Sequence, residues 1–140
     1  MYQQSIIILA ISIFSTLSFA DQKNDIAAEY KIFRQIEDTF FAADVNKKNL
    51  KPKLNDFVKK LNAGYEKVKR IEAQSSEVML SQEGNQMAYD LEMLSPLESL
   101  AKSSLDTDAC RHATHNNKVN QSDEGDATEV TALIKKICGE

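Results

Sequence analysis

Tryptophan is absent from these 140 residues, and glycine and proline are scarce, at four and two. So few turn-formers exclude an all-β domain, which needs a turn every ~8–12 residues. Strong charge of either sign is also missing. A formal net charge of −4 offers no bulk attraction for nucleic acid, and no nucleic-acid partner is expected. Glycines stand only at 64, 84, 125 and 139, so no glycine-rich phosphate loop can be built. Neither a Gly-x-Ser-x-Gly elbow nor a His-Glu-x-x-His pair occurs, and no enzymatic activity is expected. Catalysis by carboxylates alone would require two acids facing one cleft, which a linear pattern does not reveal.

The composition is that of a globular chain. At 42% hydrophobic and 27% charged it is too apolar for a disordered segment, and its length suits one domain. The long apolar run sits at the N-terminus, from Ser5 to Phe19, and is followed at once by the polar Asp21-Gln22-Lys23-Asn24-Asp25. Ser18 and Ala20 supply the small residues that a signal peptidase reads, although no Lys or Arg precedes the run. The run falls short of the ~20 residues that span a bilayer. The expectation is a signal peptide over 1–20, a single domain over 21–140 with no transmembrane segment, and export to a periplasmic or extracellular location.

The two cysteines, Cys110 and Cys138, agree with an oxidising compartment. A bridge between them would close a loop of about 29 residues and contribute about 3.5 kcal/mol in the chain-entropy model. The enclosed stretch from Asn116 to Gly125 is polar, reads as a loop, and has little to pack with. A catalytic thiol at Cys110 is the competing reading.

Apolar residues recur at steps of three and four, the spacing that lines one flank of a helix. A first helix over Asp25 to Ala43 carries Ile26, Tyr30, Phe33, Ile36, Phe40 and Ala43, widened by Ile32 and Phe41. Its Glu29, Lys31, Arg34, Glu37 and Asp38 fall largely elsewhere. A second helix starts near Asn49 or Lys51 with Pro52 in its first turn, and Leu54, Phe57, Val58, Leu61, Tyr65, Val68 and Ile71 trace the cleanest stripe. A third is expected to open at Ser75 or Ser76 and to bury Leu80, Met87, Leu91 and Leu94, with Gly84 on that face. Ser95-Pro96-Leu97-Glu98 reads as a capping box and a fresh start. Asp106 to Asp108 would cap a short piece reaching about His115. Asp126-Ala127-Thr128-Glu129 would cap the last stripe, Val130, Leu133, Ile134 and Ile137, with Gly139 at its end. The fold class expected is all-α: a small up-down bundle of four to five helices with one disulfide near the C-terminus.

Charge is segregated along the chain. Between Lys47 and Arg70 stand nine basic and two acidic residues, a balance of +7, while the other eight basic and nineteen acidic residues leave −11. Lys47, Lys48, Lys51 and Lys53 crowd a helix start, where the dipole disfavours positive charge by a few tenths of a kcal/mol each. Either the acids of the third helix (Glu77, Glu83, Asp90, Glu92, Glu98) neutralise them, or an anionic partner does. His112 and His115, at i and i+3 beside Asp106 and Asp108, are candidate metal ligands, and with Met79, Met87 or Met93 they are candidate haem ligands. No second Cys or His cluster completes such a site.

The sequence therefore leads to an exported helical binding protein without catalytic activity or cofactor. Its partner is another protein or an anionic envelope component, engaged through Lys47, Lys48, Lys51, Lys53, Lys60, Lys67 and Arg70. The alternative is a metal- or haem-binding bundle using His112 and His115.

Overall fold

The computed structural model describes residues 19–75, 81–124 and 128–139; the expected leader lies outside them apart from Phe19 and Ala20. These residues form an all-α bundle: α1 (Phe19–Ala42), α2 (Leu50–Ala73), α3 (Gln82–Met93), α4 (Ser95–Lys102), α5 (Thr107–Glu124) and α6 (Thr128–Cys138). Leu94 alone separates α3 from α4, so the segments count as five helices if that pair is taken as one interrupted rod. Helices adjacent in sequence pack together, with α3 also lying on α1 and α4 on α2. Among the described residues there is no strand, and no helix is long and apolar enough to cross a membrane.

The α1–α2 seam is the main core. Ile26, Phe33 and Phe40 meet Leu54, Phe57, Leu61 and Val68, all buried. The Phe40 and Phe57 rings stack at 4.0 Å and Phe41 sets its edge against both, geometries that aromatic pairs favour. Gly64 faces Met87 and Phe33, each 3.8 Å from where a Cβ would sit. Two expected members of the α1 stripe do not join: Ile32 is 48% exposed, and Ala43 is exposed beyond the helix end. In the link to α2, Asn49 turns back instead of capping its own helix. Its Oδ1 accepts from the Asn46 N–H at 2.8 Å and its Nδ2 donates to the Asp44 carbonyl at 3.0 Å.

Three helix starts differ from the sequence expectation, the first being α1, which is helical from Phe19, six residues before Asp25. The cap of α3 is Ser81, with Ser76 and Leu80 outside the described residues. Ser81 Oγ accepts from the Gly84 N–H at 2.9 Å, and its own N–H and O–H both donate to Glu72 Oε1 at the end of α2. A Cβ at Gly84 would collide with that carboxylate and crowd Ser81 Oγ at 2.9 Å. Glycine is therefore what admits the clasp, and the partner rather than local propensity fixes the start. At α4 the capping box does not form: Leu94 is the N-cap with no side-chain bond, and Ser95 is already helical. Leu94 keeps αR geometry (φ −78°, ψ −11°), so the chain nearly continues and Pro96 sits in the first turn, where its missing N–H is tolerated.

The largest departure is α5. The polar stretch expected to be a loop is helical as far as Glu124. Asp106 starts it as anticipated, its Oδ1 accepting from the Ala109 N–H at 2.8 Å. Ala113 and Asn117 are buried, four residues apart. Asn117 Nδ2 donates to Thr131 Oγ1 of α6 at 2.9 Å, and Gln121 Nε2 donates to the same hydroxyl. A polar side chain can hold a helix seam when its hydrogen bond is made. The Cys110–Cys138 disulfide, with Sγ atoms 2.12 Å apart, staples the other end of the seam and leaves no free thiol. The expected cap at Asp126-Ala127 lies outside the described residues. Helix α6 buries Val130, Leu133, Ile134 and Ile137 and stops at Gly139, whose φ of +77° is the left-handed conformation that favours glycine.

Candidate functional site

The lysine-rich segment occupies the link before α2 and the outer side of that helix. Lys47, Lys48, Lys51, Lys53, Lys59, Lys60, Lys67, Lys69 and Arg70 are all exposed, because Leu50, Leu54, Phe57, Leu61 and Val68 claim the inner side. No acid lies in the first turn to oppose the dipole. Two of the nine reach carboxylates: Lys60 pairs with Asp56 at 2.7 Å within the helix, and Lys67 with Glu29 of α1 at 3.5 Å. Lys53 Nζ donates to the Asp44 backbone carbonyl at 3.0 Å, and Lys69 lies 5.5 Å from the centre of the Tyr65 ring. Among the described residues, none of the acids expected to serve as counter-charges does so. Asp90 turns to Arg34 of α1 instead, and Glu77 lies outside the described residues.

His112 and His115 are both exposed on α5. His115 lines a surface groove of about 590 Å³ beside the disulfide, together with Lys47, Arg111, Thr114 and Lys118. Among the described residues no three of His, Cys, Asp and Glu converge as metal ligands. Among the described residues the haem pairing does not assemble either. Met87 is fully buried near Gly64, Met93 is nearly so, and Met79 lies outside the described residues.

The sequence reading missed a second region. A groove of about 790 Å³ opens between α1, α3 and the start of α6. Arg34, Glu37, Asp38 and Phe41 line it from α1, Gln86, Tyr89, Asp90 and Met93 from α3, and Glu129 and Val130 from α6. Glu37 is only 8% exposed, a rare position for a glutamate. Arg34 Nη1 lies 2.8 Å from Glu37 Oε2 and 3.4 Å from Asp90 Oδ2, so one guanidinium stands between two carboxylates. Gln86 Nε2 donates to Asp90 Oδ1 at 2.8 Å. Glu37 Oε2 is paired with the guanidinium but receives no hydrogen bond. Burial, followed by the charge of Asp90, pushes the Glu37 carboxyl up to about 7, and burial raises Asp90 as well.

A clue to this groove existed in the sequence. Ile26, Tyr30, Phe33, Glu37 and Phe40 follow the three-four spacing without a break, so Glu37 holds a position that the pattern assigns to the core. Two acids facing one groove are what carboxylate-based catalysis would need. Here Arg34 occupies the space between them, and the arrangement suits holding charge.

No protein-family model matches the chain, and no curated protein or solved structure matches it.

Proposed function

We propose that this chain is an exported, non-enzymatic binding protein whose lysine-rich α2 surface engages an anionic partner, either an acidic patch of another protein or an anionic envelope component. The observation that carries the reading is the uncompensated charge. Lys47, Lys48 and Lys51 are exposed, have no carboxylate partner among the described residues, and cluster at a helix start whose dipole opposes them, while Lys59 is exposed and without a carboxylate partner among those residues two turns further along α2. An anion docked there would relieve both their mutual repulsion and the dipole. Solvated lysines attract partners over about a Debye length, ~10 Å at 0.1 M salt, so the interaction is salt-sensitive. The stapled bundle supplies a rigid platform, and the leader-like N-terminus supports the compartment.

The test reverses Lys48, Lys51 and Lys59 to Glu together. Wild-type protein should sediment with vesicles containing phosphatidylglycerol or bind immobilised polyglutamate at low salt, and raised salt should release it. The triple variant should lose both interactions and keep the wild-type helical circular dichroism. Equal capture of the variant removes α2 from the account.

A further inference from the structure

The groove between α1, α3 and α6 shares no residue with the lysine-rich surface, and its charge is of the opposite sign. Glu37, Asp38, Asp90 and Glu129 line it, and Glu37 and Asp90 share the guanidinium of Arg34. Taking a carboxylate out of water is unfavourable by several kcal/mol unless charge and hydrogen bonds replace the lost hydration. For Glu37 the replacement is incomplete: the residue is more than nine-tenths buried, and its Oε2 is ion-paired with Arg34 at 2.8 Å but receives no hydrogen bond. Asp90, 13% exposed at its side chain, shares that same guanidinium at the longer distance of 3.4 Å. Glu37 and Asp90 together are short of one positive charge and of at least one N–H.

Its other lining narrows the chemistry. Phe41, Met93, Leu94 and Val130 give it apolar area beside the acids, and the Tyr89 ring adds to this. A ligand that joins hydrocarbon to a cationic N–H donor fits both features. A metal ion fits less well, since among the described residues no three donors converge.

We propose that this groove is a binding site for an alkylammonium or alkylguanidinium group, whose N–H donors satisfy Glu37 and Asp90 while its hydrocarbon lies against Phe41 and Met93. The chemistry is shared by a free polyamine and by a lysine or arginine side chain presented by a partner protein. Binding is linked to pH through Glu37. Around it stand Tyr30, Arg34 and Asp38 on α1, Asp90 on α3 and Glu129 on α6, with Glu83 of α3 acting on Tyr30. Its carboxyl, raised to about 7 mainly by burial, is neutral in mild acid and charged above neutrality, so the cation binds more tightly as pH rises. By reciprocity the bound cation draws that carboxyl back down.

Calorimetric titration of the full chain at moderate salt tests this with two probes, spermidine and a short uncharged peptide bearing one lysine. At least one should bind, about fivefold or more tightly at pH 8 than at pH 6. Glu37→Gln should weaken binding at pH 8 by about tenfold, equivalent to ~1.4 kcal/mol, and flatten the pH dependence. Arg34→Gln should bind more tightly than wild type, because the ligand inherits the place of the guanidinium. If Arg34→Gln fails to fold, Glu37→Gln alone decides. Capture of spermidine alone assigns the site to free polyamines, and capture of the peptide alone assigns it to a partner's side chain. The proposal falls if neither probe binds at millimolar concentration, or if Glu37→Gln binds as wild type does. It also falls if the exposed control Asp108→Asn weakens binding equally, or if calcium binds more tightly than both probes.

Discussion

Two buried polar side chains, Asn117 in the α5–α6 seam and Glu37 in the α1–α3 groove, are 5% and 8% exposed and differ in almost everything else. Asn117 gives its amide to Thr131, and Gln121 reinforces the same hydroxyl. Glu37 has the Arg34 charge beside one oxygen but no hydrogen bond to it. The first arrangement is complete in itself, and its role is to close a seam that has few apolar residues. The second is incomplete, and a group from outside would complete it. Degree of burial does not separate a structural polar residue from a binding one; the state of its hydrogen bonds does.

The contrast can be broken first at the staple. Reducing Cys110–Cys138 should lower stability by about 3.5 kcal/mol in the chain-entropy model. The loss should be concentrated in the seam, so hydrogen exchange should quicken in α5 and α6 well before the α1–α2 core. Uniform acceleration would show that the seam is not a separate unit.

Glu37 gives the next effect. Its folded carboxyl is raised to about 7 from the ordinary 4.5, so the folded state holds its proton more tightly than the unfolded chain does. Its contribution is therefore full below about 4.5 and is lost as pH climbs towards 7. Urea unfolding should show stability falling by roughly 3 kcal/mol across that window, with Asp90 adding in the same direction. Glu37→Gln should flatten most of the slope and exceed wild-type stability at pH 8. A slope that survives this substitution would place the titrating group elsewhere.

The smallest effect sharpens the satisfied side. Asn117→Ala should lower stability by about 1 kcal/mol, a typical net contribution for one hydrogen bond, with no change in pH dependence. A loss of several kcal/mol would mean that the amide anchors more than one partner.

How far these features were legible in the sequence follows from the forces behind them. The α2 stripe, the all-α class and the Cys110–Cys138 pairing rest on apolar periodicity and on the only cysteine pair available, and all three stand in the structure. The length of α5 was not legible. Its inner face is Ala113 and Asn117, which carry no apolar signal, and its seam is held by a disulfide and by amides that meet Thr131 from ten and fourteen residues away. The start of α3 was misplaced for a similar reason, since Glu72 selects Ser81 as the cap through tertiary contact. Arg34 and Asp90, fifty-six residues apart, meet only once α1 and α3 are packed, so the groove had no linear signature beyond a glutamate in a core register.

The clasp between Glu72 and Ser81 has a further consequence. It locks the exit of one rod to the entry of the next, and Gly84 keeps the space that the lock requires. Losing the Glu72 carboxylate would therefore unfasten two elements at once, the last turn of α2 and the first turn of α3.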